Sequence, residues 1–163
     1  MVDDPVTPDL SAFGPEVENA RDMWAGDPAS FKLGITAVQV DLREPGPSSI
    51  DGRPLGHAIA RMTVDERMVN GHDICHGGYM FIFADSTFAL ACNAGGELTV
   101  AAGCDIDFVR SAALGDVLLA KGIERARYGR NGITDVTVTR ESDGELIAHF
   151  RGRSRALKPR PSA

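Results

Sequence analysis

The protein is a chain of 163 residues, 43% hydrophobic and 25% charged, which predicts one globular domain that buries a sufficient core without disulfides or metals. Its formal net charge of −6 argues against binding to nucleic acid or anionic lipid, because both require a basic surface. Three cysteines without C-x-x-C spacing, an N-terminus without a secretory signal and the lack of a membrane-spanning apolar run favour a cytoplasmic protein with free thiols.

The chain begins with a predicted loose leader and one short helix. Residues 1–14 contain several prolines and few large apolar side chains, which is typical of a loosely held segment. From Pro15 to Ala25, a proline in the first turn, two early glutamates and a single apolar face predict a helix. The sequence Gly26-Asp27-Pro28 is expected to end that helix.

Two strands follow, joined by a long loop. The segment 33–42 is rich in β-branched residues with a two-residue alternation, and the segment 55–64 also has the pattern of a strand. Between them, residues 44–52 are rich in proline, glycine and serine. We therefore expect an antiparallel hairpin with a long connection.

The segment 77–94 differs from the rest because it is apolar nearly all round. It is long enough for a helix, and Gly95-Gly96 ends it. A helix that is hydrophobic on every side is a buried helix.

Four further strands are predicted after this helix, separated by short turns with hairpin-type sequences. They are the segments 98–109, 117–127, 133–139 and 146–155. No helix-sized segment intervenes, so we expect an antiparallel meander. One buried helix beside one antiparallel sheet predicts an α+β fold in which the sheet wraps around the helix. Since one curled sheet cannot cover the helix completely, we expect a second copy of the chain to cover the remainder.

The densest polar cluster, residues 70–78, comes immediately before the buried helix. Gly77-Gly78 would expose backbone N–H groups at the helix N-terminus, where the dipole favours an anion or an oxyanion. The alternative is a glycine turn that lets the helix start close to a strand; Asn70 and His76 beside the glycines favour a functional site. A metal site at His72 and His76 is disfavoured. Residues four apart lie on one face only in a helix, and the flanking glycines disfavour a helix here.

Asp85 is the second candidate, since it lies in the middle of the helix among aromatic residues. A buried acid is costly unless it is paired or used. The alternatives are that Asp85 faces solvent or is hydrogen-bonded by Ser86 or Thr87. Cys92 with His76 as its base is a conceivable nucleophile, but a small thiol packed in a helix is favoured.

Cationic side chains are concentrated late in an otherwise acidic chain. They are Arg125, Arg127, Arg130, Arg151, Arg153, Arg155, Lys158 and Arg160. Solvated strand faces and a local patch for a phosphorylated ligand are equally compatible with this pattern.

The polar cluster and the helix together resemble a known family. Asn70-x5-His76-Gly77-Gly78, Ala84-Asp85-Ser86 and Ala89-x2-Cys92-Asn93 resemble the hotdog-fold acyl-CoA thioesterases, in particular the PaaI-like branch of phenylacetate degradation. The likeness extends from Asp27-Pro28 to the strand ending near Arg155. On this basis we assign a leader with a short helix to 1–26, the hotdog domain to 27–157 and a tail to 158–163.

The resemblance implies hydrolysis of a small or aromatic acyl-CoA to free acid and CoA, by a dimer that often pairs into a tetramer. It implies that Asp85 attacks or activates water, that Gly77 supplies an oxyanion N–H, and that Asn70 and His76 shape the site. No cofactor or metal is expected beyond the CoA of the substrate. The residues expected to contact substrate are Gly78, Ser86, Phe88, Arg110 and Arg127. The alternatives are a hotdog-fold hydratase or dehydratase and a non-catalytic acyl-CoA-binding protein.

The spacing of Gly77 and Asp85 carries a further expectation. Eight residues of helix separate their backbones by about 12 Å, whereas one reacting carbonyl needs both groups within about 3–3.5 Å. If both serve one carbonyl, Asp85 must come from the partner chain, and the active sites lie between subunits.

Overall fold

The computed structural model describes residues 8–47 and 49–158, so the first seven residues of the predicted leader and residues 159–163 of the predicted tail lie outside it. Its helices are α1 (Glu18–Ala25), α2 (Pro28–Lys32) and α3 (Gly77–Asn93), with single 3-10 turns at Pro15–Val17 and Glu66–Met68. Its strands are β1 (Thr36–Arg43), β2 (Leu55–Thr63), β3 (Thr99–Phe108), β4 (Val117–Tyr128), β5 (Asn131–Arg140) and β6 (Leu146–Ala156). None of the described helices is long and apolar enough to cross a membrane.

The six strands form one antiparallel sheet in the order β1-β2-β4-β5-β6-β3. The predicted hairpin of β1 and β2 and the meander of β4, β5 and β6 are confirmed. The predicted place of β3 beside β4 is wrong, because β3 pairs with β6 at the sheet edge. The eight residues 109–116 allow this: they start along β6, where Val109 N–H donates to Ile147 O, and finish beside β2, where Gly115 N–H donates to Val64 O.

The long helix α3 packs against the concave face of the sheet, mainly on β2, β4 and β5. Glycines in the sheet allow this close approach. A Cβ added at Gly56 would lie 1.8 Å from the carbonyl oxygen of Ala91, and one at Gly152 would lie 2.4 Å from the Phe88 ring. This α+β arrangement, with a sheet wrapped around one long helix, is the predicted hotdog fold.

One stripe of α3 stays uncovered in the single chain. It runs along the positions Gly78, Ile82, Asp85, Ser86 and Ala89, and we call it the open stripe. Gly78 and Ile82 are exposed and the other three residues are half-buried, whereas Phe83, Phe88 and Leu90 are completely buried. The prediction of a helix buried all round therefore holds for every side except this stripe.

The N-terminal segment is more firmly packed than the sequence indicates. Trp24 of α1 is buried, and α1 contacts α3. The prediction of a loose leader is wrong for residues 8–14, because Leu10 and Phe13 pack against the core and Val40 N–H donates to Ala12 O. Pro28 does follow the end of α1, but it also begins α2, which the sequence reading missed.

Candidate active site

The residues before α3 form a compact turn that ends at the helix. The side-chain oxygen of Asn70 accepts a hydrogen bond from His72 N–H at 2.9 Å, and Asn70 N–H donates to Ile74 O. Asp73 adopts a left-handed conformation with φ of 58°, which aspartate tolerates better than most residues. Because this segment is a turn, as the flanking glycines predict, His72 and His76 do not lie on one face of a helix.

His76 caps α3. Its Nδ1 accepts a hydrogen bond from Gly78 N–H at 2.9 Å, which places the proton of the neutral ring on Nε2. Its own N–H donates to Met68 O at 2.7 Å, so the start of the helix is tied to the preceding 3-10 turn. His76 thus holds the first turn of α3 in place.

The N–H of Gly77 is the free donor at this helix start. Gly78 N–H is used by His76, while Gly77 N–H makes no hydrogen bond within the described residues. The ring of Phe108 lies over Gly77, so that an added Cβ would be 3.0 Å from its Cζ. A glycine is therefore needed for close contact here, and its N–H, at the positive end of the helix dipole, can bind an oxyanion.

A cavity of about 380 Å³ adjoins this helix start. Its walls include Asn70, Gly77, Met80, Phe108 and Arg110. Arg110 is half exposed and pairs with Glu145 at 2.9 Å. The structure therefore brings three of the predicted site residues, Asn70, Gly77 and Arg110, to one cavity, and Asp85 is not among its lining residues.

Asp85 lies on the open stripe, two helical turns beyond Gly77. Burial, and secondarily the negative charge of Asp27, raise the pKa of the Asp85 carboxyl above its ordinary value. Neither neighbour proposed as its partner binds it: Thr87 Oγ1 donates to Phe83 O, and Ser86 bonds to Ser30. The Cys104 thiol of β3 contacts Asp85, with its Sγ 4.0 Å from Oδ1. Asp85 is thus a half-buried acid that forms no ion pair with a cation in residues 8–47 and 49–158.

Ser86 is held in one orientation. Ser30 Oγ donates its single proton to Asp27 Oδ2 at 2.5 Å, so the 2.8 Å contact between Ser30 and Ser86 requires Ser86 to be the donor. Ser86 is on the open stripe beside Asp85, as predicted. With its proton committed to Ser30, it can present lone pairs, but no O–H, to a bound substrate.

The structure does not bring Phe88 and Arg127, two of the residues expected to contact substrate, to this cavity. Phe88 is completely buried between α3 and the sheet, 5.8 Å from Phe150 between ring centroids. Arg127 is buried beyond the other end of α3, where Nη2 donates to Cys92 O at 3.0 Å. Its Nε donates to Glu124 Oε1 at 2.9 Å, so Arg127 closes the C-terminal end of the helix.

Three of the other late arginines favour the interpretation of solvated strand faces. Arg125 and Arg151 both pair with Asp135, and Arg153 pairs with Asp105. These carboxylates neutralise much of the positive charge that a patch for phosphate would need. Arg160 lies outside the described residues.

Cys92 is a packing residue. It is buried, and burial raises the pKa of its thiol far above the ordinary value, so the nucleophilic thiolate is strongly disfavoured. His76 is 16 residues away on the same helix, about 24 Å along its axis. The alternative of a Cys92–His76 pair is therefore excluded by distance.

Sequence reading missed three residues near the site: Asp27, Ser30 and Cys104. The Asp-Pro dipeptide at 27–28 is a helix-start signal that could have indicated Asp27 as a cap. Ser30 and Cys104 carry no such local signal, since they reach α3 only through tertiary packing.

Comparisons with known proteins place this geometry in a family. The model of the Thioesterase superfamily matches residues 72–147. The acyl-coenzyme A thioesterase PaaI of Escherichia coli K12 is 35% identical over 140 residues, which cover 86% of this chain and 90% of the relative.

Solved structures agree with the sequence comparison. The structure of the E. coli PaaI protein from the phenylacetic acid degradation operon superposes with a TM-score of 0.76 at 34% identity, covering 88% of this chain and 94% of the other. A Streptococcus mutans protein bound to acetyl-CoA superposes with a TM-score of 0.61 at 25% identity, covering 75% and 91%. The resemblance found in the residues is therefore confirmed, and the chain belongs to the PaaI-like acyl-CoA thioesterases of the thioesterase superfamily.

Proposed function

We propose that this protein hydrolyses acyl-CoA thioesters with a small or aromatic acyl group, phenylacetyl-CoA among them, to the free acid and CoA. The proposal rests on one observation. The helix α3 carries both a half-buried Asp85, which no cation of the described chain neutralises, and a free N–H of Gly77 at its start. Two relatives add support: one is named an acyl-CoA thioesterase, and another was solved with acetyl-CoA bound.

The two groups divide the chemistry between them. The Gly77 N–H and the helix dipole stabilise the negative charge that develops on the thioester oxygen. The Asp85 carboxylate either attacks the carbonyl carbon and expels the CoA thiolate, giving a mixed anhydride that water then hydrolyses, or takes a proton from the water that attacks the thioester. The CoA thiolate is a good leaving group, so the reaction requires no cofactor, no metal and no further acid.

The site is completed by a second subunit. Gly77 and Asp85 lie about 12 Å apart along one helix, too far to serve one carbonyl. The surfaces that would meet are present: Ile82 on the open stripe is 38% exposed, and Phe108 on the edge strand β3 is 57% exposed. We propose a homodimer in which Gly77 faces the partner's Asp85, and pairing of such dimers into a tetramer.

In this proposal the substrate binds in the cavity beside Gly77. Asn70, Arg110 and Phe108 line it, so an apolar acyl or pantetheine portion can pack on the Phe108 ring. The half-exposed Arg110 can bind a phosphate only by leaving its pair with Glu145. Gly78 and Ser86 border the same route along the open stripe. Free thiols at Cys75, Cys92 and Cys104 suit a reducing compartment, which supports a cytoplasmic location.

A panel of acyl-CoA esters, graded from acetyl through phenylacetyl to long-chain, tests the proposal. Release of free thiol is followed with a chromogenic disulfide, in parallel with the absorbance of an enoyl-CoA and with binding of CoA. We expect thiol release with a preference for short or aromatic acyl groups. Enoyl hydration without thiol release would identify a hydratase, and binding without turnover would identify an acyl-CoA-binding protein; either result overturns the proposal.

A further inference from the structure

Asp27, the residue before α2, is fixed by three hydrogen bonds. Its Oδ1 accepts from the backbone N–H groups of Ala29 and Ser30, at 3.1 Å each. Its Oδ2 accepts from Ser30 Oγ at 2.5 Å. A helix cap needs one or two of these bonds. The third joins the carboxylate to the hydroxyl of Ser30, which also contacts Ser86 of α3.

This third bond begins a chain of hydroxyl groups that ends beside Asp85. Ser30 is 1% exposed, so water does not compete for its hydroxyl. Since Ser30 gives its proton to Asp27, Ser86 must give its own to Ser30. The chain therefore has one direction, from Ser86 through Ser30 to Asp27, and the carboxylate of Asp27 sets it.

Asp27 is also the nearby charge that acts on Asp85. An aspartate is anionic across the neutral range, and a like charge disfavours ionisation of its neighbour. Asp85 in turn acts on two thiols: its negative charge helps to raise the pKa of Cys104 on β3 and of Cys92 on α3. Burial is the larger cause of both shifts, and a thiol with a raised pKa adds no negative charge beside Asp85 at neutral pH.

We propose that Asp27 is a positioning residue for the Asp85 site, which orients the Ser30–Ser86 hydroxyl pair and holds a negative charge at the far end of this pair from α3. The proposal rests on the function proposed above, because it gives Asp85 a role in catalysis. Its consequence concerns pH. Asp85 must be ionised to attack or to accept a proton, and with Asp27 present it ionises at higher pH than it would alone.

The test is the titration of Asp85 in variants of Asp27. Asp27→Asn removes the charge and keeps the helix cap, because the asparagine oxygen can accept the same backbone N–H groups. Asp27→Ser is a second uncharged variant with a capping side chain. Ser30→Ala breaks the hydroxyl chain but keeps the charge, and Asp22→Asn removes an exposed carboxylate of α1 that pairs with Arg21.

Two readouts are taken on each folded variant. One is the carboxyl-carbon NMR titration of Asp85, assigned by difference from Asp85→Asn, and the other is the pH profile of kcat/KM with phenylacetyl-CoA. We expect both uncharged variants of Asp27 to titrate Asp85 at lower pH than wild type, and the acid limb of kcat/KM to move in the same direction. Ser30→Ala and Asp22→Asn should keep the Asp85 titration close to that of wild type.

Unchanged titration of Asp85 in both folded Asp27 variants overturns the inference. A shift in Ser30→Ala as large as that in Asp27→Asn overturns its electrostatic part. If no acyl-CoA is hydrolysed by wild type, the proposed function fails, but the NMR titration still decides whether Asp27 acts on Asp85.

Discussion

Asp85 is the one carboxylate in the sequence of α3, and its surroundings make ionisation of its side chain unfavourable. The side chain is half-buried on the open stripe, its pKa is raised by burial and by Asp27, and no cation of the described chain pairs with it. An acid placed in this way destabilises the free protein, and such acids are concentrated at functional sites. Replacement of Asp85 therefore separates an effect on activity from an effect on stability.

Replacement of Asp85 by asparagine should abolish turnover and leave the fold intact. The amide keeps the shape of the side chain but can neither attack nor accept a proton, so we expect kcat/KM to fall by at least about a hundredfold. Steady-state hydrolysis of phenylacetyl-CoA measures this, with Asp22→Asn as the control for loss of one negative charge. Wild-type turnover in the folded variant would remove Asp85 from the mechanism.

Cys92 offers the opposite expectation, although it lies on the same helix. Its thiol is buried with a raised pKa, and its Sγ lies 3.6 Å from Ala89 O. Cys92→Ser should retain most of the hydrolytic activity while lowering stability modestly, because a hydroxyl replaces a packed sulfur. Parallel measurement of kcat and of the thermal midpoint checks both parts; a collapse of kcat with an unchanged midpoint would speak for a chemical role of the thiol.

The fold depends on how closely α3 approaches the sheet. Gly56 of β2 is the tightest point, since an added Cβ would overlap the backbone carbonyl of Ala91. Backbone atoms cannot rotate away as a side chain does, so relief requires the helix to move off the sheet. The glycine is therefore a requirement of the packing and not of a turn.

Gly56→Ala should destabilise the protein by about 1–3 kcal/mol or more, the usual cost of overpacking a core. For a chain of this size, each kcal/mol lowers the thermal midpoint by about 2–4 °C. Gly46→Ala is the matched control, because no atom lies within 4 Å of the added Cβ and we expect its effect to stay within about 0.5 kcal/mol. Equal midpoints for the two variants would contradict the packing argument.

The same elements show what local sequence can and cannot predict. Periodicity and turn residues were sufficient for all six strands and for α3, because these signals are local. The orientation of α3 cannot be predicted locally, because a helix that is apolar all round has no polar face to indicate its exposed side. The buried position of Phe88 depends on that orientation. Strand pairing is also non-local, so the position of β3 depended on the path of residues 109–116.

Arg127 illustrates a second kind of limit. Strict alternation along β4 from the buried Glu124 would direct Arg127 outward, toward solvent. The β-bulge between Glu124 and Ala126 shifts the register by one residue, so that Glu124 and Arg127 both face inward and form an ion pair. The composition of β4 does not predict the bulge. The motifs around Asn70, Gly77 and Asp85, in contrast, depend on residue type and could be found in the sequence.

Because of the distance between Gly77 and Asp85, the proposed active site takes residues from two chains. Asn70→Ala and Asp85→Asn should each be inactive as separate proteins. After subunit exchange, a mixed dimer has one site with both defects and one native site. Random exchange makes about half of the dimers mixed, so about a quarter of wild-type activity should return.

Mass spectrometry of isotope-labelled subunits verifies that exchange has taken place. Mixing two preparations of Asp85→Asn is the control and should return no activity. Complete exchange without recovery would mean that the two residues act within one chain or that one of them has another role.

The open stripe has a consequence for how the enzyme would be lost and regained. If the partner's α3 covers it, separation of the subunits uncovers Ile82 and dismantles both catalytic centres in the same event. Dilution would then act as an inhibitor, and specific activity would fall below a threshold concentration set by the dissociation constant. Recovery would be a bimolecular process, whose half-time shortens in proportion as the concentration of chains rises.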